Sequence, residues 1–105
     1  MKKKKISIFY TLCSSYEDAK NLALILLENN LAVCVNLIKN IESFYIEEKK
    51  IVSDFEIGIF IKTNVSSKKI LNFLEKSHPY KIPFFTKLEN KYTNEKYLKW
   101  AQKNN

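Results

Sequence analysis

The sequence predicts a single α+β domain over residues 1–105, with two helices packed on one face of a four-stranded sheet. A chain of 105 residues lies within the usual size range of one domain. Apolar residues make up 46% of the chain and aromatic residues 13%, which is enough for a hydrophobic core. The apolar periodicity gives the order strand, helix, strand, strand, helix, strand, which is typical of a split βαβ sandwich.

Residues 5–12 alternate in the manner of a strand and are followed by a helix. The helix is expected to begin at Ser14, because a glutamate three residues later completes a capping box. Its apolar residues recur at helical spacing on one narrow face: Ala19, Leu22, Ala23 and Leu26. Two asparagines at positions 29 and 30 are expected to end the helix, since asparagine tolerates the left-handed conformation.

Residues 31–38, LAVCVNLI, are almost continuously apolar, which is typical of a strand covered on both faces. The two-residue period of a strand places Val33, Val35 and Leu37 on one face and Ala32, Cys34 and Asn36 on the other. A charged turn near residues 47–50 leads into a third strand over residues 51–63. This strand also has two faces: Phe55, Ile57, Ile59 and Ile61 on one, and Glu56, Gly58, Phe60 and Lys62 on the other.

A second helix is predicted over residues 64–77, with Asn64 or Ser66 as its N-cap. Its buried side holds three apolar residues: Ile70, Phe73 and Leu74. The segment SHPYKIP that follows contains both prolines of the chain and stops the helix. Residues 83–89 then predict a fourth strand, and residues 93–102 a short terminal helix with Leu98 and Ala101 on one face.

This order, together with the right-handed crossover rule, predicts a ferredoxin-like βαββαβ sandwich with a central hairpin. Both helices between strands then cover the same sheet face, and the opposite face lacks cover. Polar and apolar side chains are mixed on that opposite face: Cys34, Asn36, Glu56 and Phe60. We expect this face to be partly buried against another copy of the chain.

All 18 basic residues are lysines, and they give the chain a net charge of +7. Nucleic-acid sites favour the forked guanidinium of arginine, so this lysine surplus predicts a solvated surface and no nucleic-acid partner. No apolar run approaches the roughly 18 residues that a membrane span needs. The basic start and the short apolar run after it lack a cleavage site, so we expect no membrane association and a cytoplasmic location.

Four segments resemble the CutA family of divalent-cation tolerance proteins, which are small trimeric ferredoxin-like proteins. LAVCVNLI is similar to a family strand, Leu-Ala-Ala-Cys-Val-Asn, and SFY with FEIGIFIKT is similar to the long family hairpin. SHPYKIP is similar to a His-Pro-Tyr-x-x-Pro segment, and YLKW to a closing Tyr-Leu-x-Trp. The resemblance implies an extended central hairpin and a homotrimer that binds copper or another divalent cation in metal ion tolerance.

The chain also departs from the family pattern at several positions. The Trp and Gly that are usual around the hairpin turn correspond to Glu47 and Lys49. Some members have a second histidine before the motif histidine and a cysteine in the first strand, where this chain has Ser77 and Thr11. The resemblance therefore does not imply the complete metal site of those members.

His78 and Cys34 are the candidate metal ligands. A neutral imidazole binds copper or zinc well, and the alternative is that His78 only caps the preceding helix. A thiolate suits copper, and the alternative for Cys34 is a small buried side chain in a strand. Cys13 lies where a helix N-terminus lowers a thiol pKa, with the same alternative of an inert buried side chain.

Four further residues are expected to line clefts between subunits: Tyr45, Glu56, Lys62 and Tyr80. A carboxylate or an ammonium group in a partly buried place needs a partner, and phenols supply donors and ring faces. With one histidine and one glycine, the chain has no HExxH motif, no phosphate loop and no nucleophile motif, which predicts a protein that is not an enzyme. No cofactor is obligatory.

Two functions lead at this point, and a third, weaker alternative is an enzyme that uses His78 as a general base. The first is a homotrimer that binds a divalent, copper-type cation in metal homeostasis. The second is a trimer that senses a small ligand or serves as a scaffold, acting through contacts with other proteins and without catalysis.

Overall fold

The computed structural model describes residues 5–103, and the basic start of the chain, residues 1–4, lies outside them. The elements are β1 (Ser7–Cys13), α1 (Tyr16–Glu28), β2 (Cys34–Glu47), β3 (Lys50–Thr63), α2 (Ser67–Ser77), β4 (Phe85–Leu88) and α3 (Glu95–Lys103). The strands form one antiparallel sheet in the order β2-β3-β1-β4. This arrangement confirms the predicted α+β ferredoxin-like class. Across residues 5–103, every helix falls short of the length and apolar character that crossing a membrane demands.

The main core lies between α1, α2 and one face of the sheet. Phe9 pairs with Ile61 and Thr11 with Ile59, so the inward side chains of β1 and β3 share this face. The buried residues of this core are Phe9, Cys13, Ala19, Leu22, Leu26, Ala32, Ile59, Ile61, Ile70 and Leu74. The apolar face predicted for the first helix is confirmed, because its four residues are the buried ones of α1.

The ends of the helices are fixed by short polar side chains. Ser15, not Ser14, is the N-cap of α1, and its hydroxyl accepts a backbone N–H three residues later at 3.1 Å. Ser66 caps α2 in the same way at 3.3 Å, which selects it over Asn64. Asn30 has a φ of 57°, so the left-handed residue predicted after the first helix is confirmed.

β2 begins at Cys34, three residues later than the apolar run suggested. Before it, the backbone N–H groups of Leu31 and Ala32 donate to the carbonyl of Leu26 at the end of α1, and Ala32 enters the main core. Val33 instead packs in a second cluster beneath α3, so its predicted face was wrong. Val35 and Leu37 contact the main core as predicted.

α3 covers one end of the sheet face that points away from α1 and α2. Ala101 is buried, and Tyr97 and Leu98 pack with Ile8 and Cys34. The face that was predicted to be uncovered is therefore partly covered by the chain's own terminal helix.

The hairpin of β2 and β3 extends beyond the end of β1. β1 pairs only with residues 57–63 of β3, whereas β2 pairs with β3 from Lys62 to Lys50. Large apolar side chains in this extension are mostly exposed: Phe44 by 67%, Ile46 by 74%, Ile51 by 77% and Phe55 by 64%. The hairpin contributes to a longest dimension of 52 Å.

Two irregular features shape the hairpin. The pairing jumps from Ile38 opposite Gly58 to Ile41 opposite Glu56, which makes residues 39 and 40 a β-bulge opposite one residue of β3. At the tip, the backbone has positive φ at both turn residues, 49° at position 48 and 66° at position 49. This is the pattern of a two-residue type I′ turn, built here without glycine or asparagine.

Candidate functional site

A groove of about 740 Å³ opens where β1 ends and the hairpin continues. Its first wall is the end of β1, and its second consists of residues 43–45 and 54–56 of the hairpin. The third wall is formed by Tyr80, Ile82 and Phe84. These three belong to the segment between α2 and β4, residues 78–84, which we call the connector.

Two carboxylates in the groove each accept a hydrogen bond from a phenol. The Tyr80 hydroxyl donates to Glu56 Oε2 at 2.7 Å, and the Tyr45 hydroxyl donates to Asp54. The hydrogen bond to Asp54 is the main cause that raises the pKa of Tyr45 to about 12. Burial, followed by the hydrogen bond to Glu56, also raises the pKa of Tyr80. Both phenols are therefore protonated donors at neutral pH.

The groove differs in charge from the rest of the chain. The chain contains 18 lysines, yet none of those within the described residues 5–103 lines the groove. Asp54 and Glu56 are the acidic side chains of the lining. The charged groups of the groove lining are therefore acidic, although the whole chain has a net charge of +7.

His78 is the C-cap of α2, and its backbone N–H donates to the carbonyl of Leu74 at 3.0 Å. Its φ of −68° and ψ of 136° are extended, as expected for a residue before proline. The capping position considered for His78 is therefore present. Its side chain is buried, with 9% of the residue exposed.

Both ring nitrogens of His78 have partners within the chain. Nδ1 lies 3.1 Å from the backbone nitrogen of Tyr80, whose N–H must be the donor, so the proton of the neutral ring is on Nε2. Nε2 lies 2.9 Å from Thr11 Oγ1, which itself donates to the carbonyl of Phe84 at 2.6 Å. Burial lowers the pKa of His78, and a hydrogen bond to the backbone of Leu12 offsets part of this effect. The ring is thus a neutral imidazole rather than an imidazolium at a helix end.

The second candidate ligand, Cys34, lies on the opposite sheet face from the Thr11 hydroxyl. Cys34 pairs with Lys62, which pairs with Ile8, in the row of residues next to α3. The Lys62 ammonium lies over the Tyr97 ring, 5.6 Å from its centre. The structure therefore does not bring Cys34 and His78 of one chain together, and it places Lys62 away from the groove.

Within residues 5–103, no group of three or more His, Cys, Asp or Glu side chains is arranged to hold a metal ion. Of the predicted residues, Tyr45, Glu56 and Tyr80 meet at the groove. Metal binding by His78 and Cys34 stays a prediction. At the groove, one chain supplies two carboxylates, which are too few ligands to complete a metal site.

Cys13 does not have the activated thiol that its place before a helix suggested. It is completely buried, and burial, together with the charges of Asp18 and Glu56, raises its pKa to about 11. Of the two alternatives considered for Cys13, the structure therefore supports the inert buried side chain, because burial outweighs the nearby helix N-terminus. Cys13 and Cys34 are both free thiols.

Sequence reasoning missed Asp54 and did not assign a role to Thr11. A usable signal existed for Thr11, because strand alternation puts this hydroxyl between Phe9 and Cys13 on an apolar face, where it needs a partner. Asp54 lies diagonally across the hairpin from Tyr45, a relation that appears once the turn position is known.

The family model described as CutA1 divalent ion tolerance protein matches residues 7–104. The Protein CutA homolog of Xenopus laevis is 35% identical over 97 residues, which cover 91% of this chain and 64% of that protein. Human Protein CutA is 35% identical over 98 residues, which cover 92% of this chain and 55% of that protein. The chain thus spans between about half and two thirds of the length of these vertebrate relatives.

A solved structure shows the same likeness in three dimensions. The crystal structure of divalent ion tolerance protein CutA1 from Ehrlichia chaffeensis superposes on this chain with a TM-score of 0.93 and is 34% identical in sequence. The superposition covers 98% of this chain and 97% of that one. The likeness therefore includes the hairpin and the terminal helix as well as the core.

Proposed function

Since the chain belongs to the CutA1 family of divalent ion tolerance proteins, we propose that it acts as a cytoplasmic, non-catalytic homotrimer that binds a copper-type or other divalent cation. The membership confirms the resemblance that four sequence segments indicated. The cation is cargo in this proposal, and the role of the protein is to sequester it in metal homeostasis.

The observation that carries the proposal is the charge of the groove. Asp54 and Glu56 are its acidic side chains, and a phenol donates a hydrogen bond to each carboxylate. Oxygen donors of this kind bind divalent cations, and an orienting hydrogen bond to a ligating carboxylate is typical of metal sites. These two carboxylates are the residues of this chain that fit the cation.

The predicted soft ligands fit less well. The imidazole of His78 already uses both nitrogens, and Cys34 lies on another part of the sheet. Two carboxylates do not complete a coordination shell, so the remaining ligands would come from a second copy of the chain. The exposed apolar side chains of the hairpin, beside the groove, support such an assembly.

Titration calorimetry with Cu²⁺ and Zn²⁺ tests the proposal. We expect saturable binding whose affinity falls by at least about tenfold in Glu56→Gln, since a ligand carboxylate is lost. Glu75→Gln is the matched control, because Glu75 is exposed on α2 and is not among the groove residues. Equal affinities of the two variants, or the absence of saturable binding, would exclude the groove as a site for Cu²⁺ and Zn²⁺.

A second candidate function is favoured by the apolar part of the same groove. Phe44, Phe55, Ile82 and Phe84 line it beside the polar groups, a mixture that is typical of sites for small organic molecules. In this case the trimer senses a small ligand and passes the signal on through contacts with other proteins. Thermal shift measurements with small organic cations would favour this function if they stabilise the protein while Cu²⁺ and Zn²⁺ do not.

A further inference from the structure

We infer that His78 is a positioning residue that fixes the connector wall of the groove, and that it is not a ligand for a divalent cation. The first test below needs no cation, so it can succeed or fail independently of the proposed function. The inference rests on three sets of contacts.

The first set consists of the hydrogen bonds of the ring itself. Nδ1 accepts the backbone N–H of Tyr80 at 3.1 Å, and Nε2 lies 2.9 Å from the Thr11 hydroxyl. A cation needs a ring nitrogen lone pair, and in this tautomer the available lone pair is that of Nδ1. Binding would therefore take the acceptor from the part-buried Tyr80 N–H, and leaving such a donor without a partner has a cost in free energy.

The second set links both ends of the connector to β1. The Thr11 hydroxyl interacts with the His78 ring at the start of the connector and donates to the Phe84 carbonyl at its end. Two prolines lie inside this segment, at positions 79 and 83, and each restricts the backbone around it. The connector therefore has few alternative conformations while the ring stays in place.

The third set of contacts links His78 to the groove through Tyr80. The Tyr80 backbone is held by His78, and the two rings lie 5.0 Å apart between centres. The other end of the Tyr80 side chain donates to Glu56 Oε2 at 2.7 Å. His78 therefore sets the position of the phenol that orients Glu56, and it acts on the groove through Tyr80.

The tautomer can be read directly by NMR, because the chain has one histidine and its ring signals are unambiguous. In metal-free protein at pH 7.5, long-range ¹H–¹⁵N spectra are expected to show an unprotonated Nδ1 and a protonated Nε2. A proton on Nδ1, or averaged shifts of two exchanging tautomers, would overturn the inference.

The same spectra followed during addition of Zn²⁺ test the ligand role. We expect the two ring nitrogen shifts to keep their metal-free pattern at saturation, even where amide signals around Glu56 move. A change of the Nδ1 shift that saturates with Zn²⁺ would overturn the inference. If Zn²⁺ does not bind at all, zinc is excluded as the cation of the proposed function, and the metal-free spectra still decide the inference.

Two variants separate positioning from simple packing. In His78→Asn the side-chain oxygen can accept the N–H two residues later, as in an Asx-turn, whereas His78→Ala has no acceptor. We expect the Tyr80 amide to exchange with solvent within about twofold of wild type in the Asn variant, and at least about tenfold faster in the Ala variant. Equal exchange in both variants would contradict the positioning role. If His78→Ala does not fold, His78→Asn alone tests the positioning role. Exchange of the Tyr80 amide in this variant at least about tenfold faster than in wild type would then contradict the role.

Discussion

The hydroxyl of Thr11 lies 2.9 Å from Nε2 of His78, at a place on β1 that is closed to solvent. The same hydroxyl donates to the carbonyl of Phe84 at 2.6 Å. One oxygen therefore satisfies polar groups at both ends of the connector. The groove wall formed by the connector depends on this single side chain of β1.

Replacing Thr11 with valine keeps the shape of the side chain and removes the hydroxyl. The ring N–H of His78 and the carbonyl of Phe84 then lose their partner, so we expect the free energy of unfolding to fall by about 1–3 kcal/mol. Urea unfolding at fixed protein concentration measures this difference. Thr11→Ser is the control, since it keeps the hydroxyl, and a Val variant as stable as the Ser variant would contradict the prediction.

Stability is expected to depend on pH through His78. Burial lowers its folded-state pKa below the ordinary value of 6.5, so near that pH the unfolded chain binds more protons than the folded one. The contribution of His78 to the free energy of unfolding is complete above about pH 6.5 and is lost as the pH falls towards the folded-state pKa. Unfolding free energies at a series of pH values between about 7.5 and 5.5 measure the slope.

His78→Asn is the control for this pH dependence, because His78 is the one histidine of the chain. Its slope over the same range should be smaller than that of the wild type. Parallel curves for the two proteins would show that the pH dependence arises from other groups.

The two thiols should differ sharply in reactivity. Cys13 is completely buried and its pKa is raised to about 11, whereas Cys34 is half-buried. A disulfide reagent such as Ellman's reagent is expected to react with one thiol per native chain and with both after denaturation. Cys34→Ser should abolish the native reaction, and a fast native reaction in this variant would contradict the burial of Cys13.

The hairpin turn offers a stabilising substitution. Positions 48 and 49 have φ values of 49° and 66°, which glutamate and lysine adopt at a cost. The double variant Glu48→Asn, Lys49→Gly supplies the residues preferred in a type I′ turn, and we expect a gain of about 0.5–1 kcal/mol. Thermal unfolding compares it with Lys49→Ala, which should not gain. A less stable Asn-Gly variant would mean that the turn has another geometry.

The proposed homotrimer can be tested through the exposed hairpin. We expect sedimentation equilibrium to give three times the chain mass of 12.4 kDa, and Ile51→Lys to reduce this mass because Ile51 is 77% exposed in the single chain. Tyr92→Lys is the control, since Tyr92 is 81% exposed outside the hairpin. A compact wild-type monomer at micromolar concentration would contradict the proposed trimer.

Much of the fold could be predicted because periodicity and helix signals agree along the chain. The prediction failed where two residues carry the same chemistry, as with Ser14 and Ser15 at the start of α1. It also could not place α3, because an amphipathic pattern shows that a helix is packed but not against which sheet face. The start of β2 was shifted because an apolar run can extend beyond the hydrogen-bonded ladder.

The site could be predicted only in part. Tyr45, Glu56 and Tyr80 were expected to line clefts between subunits, which stays a prediction. Within one chain the structure brings them to one groove. Lys62 and Glu56 are six residues apart on β3 and so belong to the same sheet face, but Lys62 lies beside α3. The two-residue period of a strand predicts the face of a side chain and not what lies next to it along the strand. The contacts of His78 depend on Thr11, which is 67 residues away in sequence, and local patterns contain no information about such a pair.

The bulge at residues 39 and 40 has a consequence for aggregation. β2 is an outer strand of the sheet, and a long outer strand is a template on which further chains can add as in fibrils. The extra residue interrupts the regular spacing of its free N–H and C=O groups, while the Lys39 ammonium is held 4.5 Å from the centre of the Tyr16 ring. A strand of another chain can therefore form regular hydrogen bonds with β2 on only one side of the bulge. This limits the addition of further chains to the edge of the sheet.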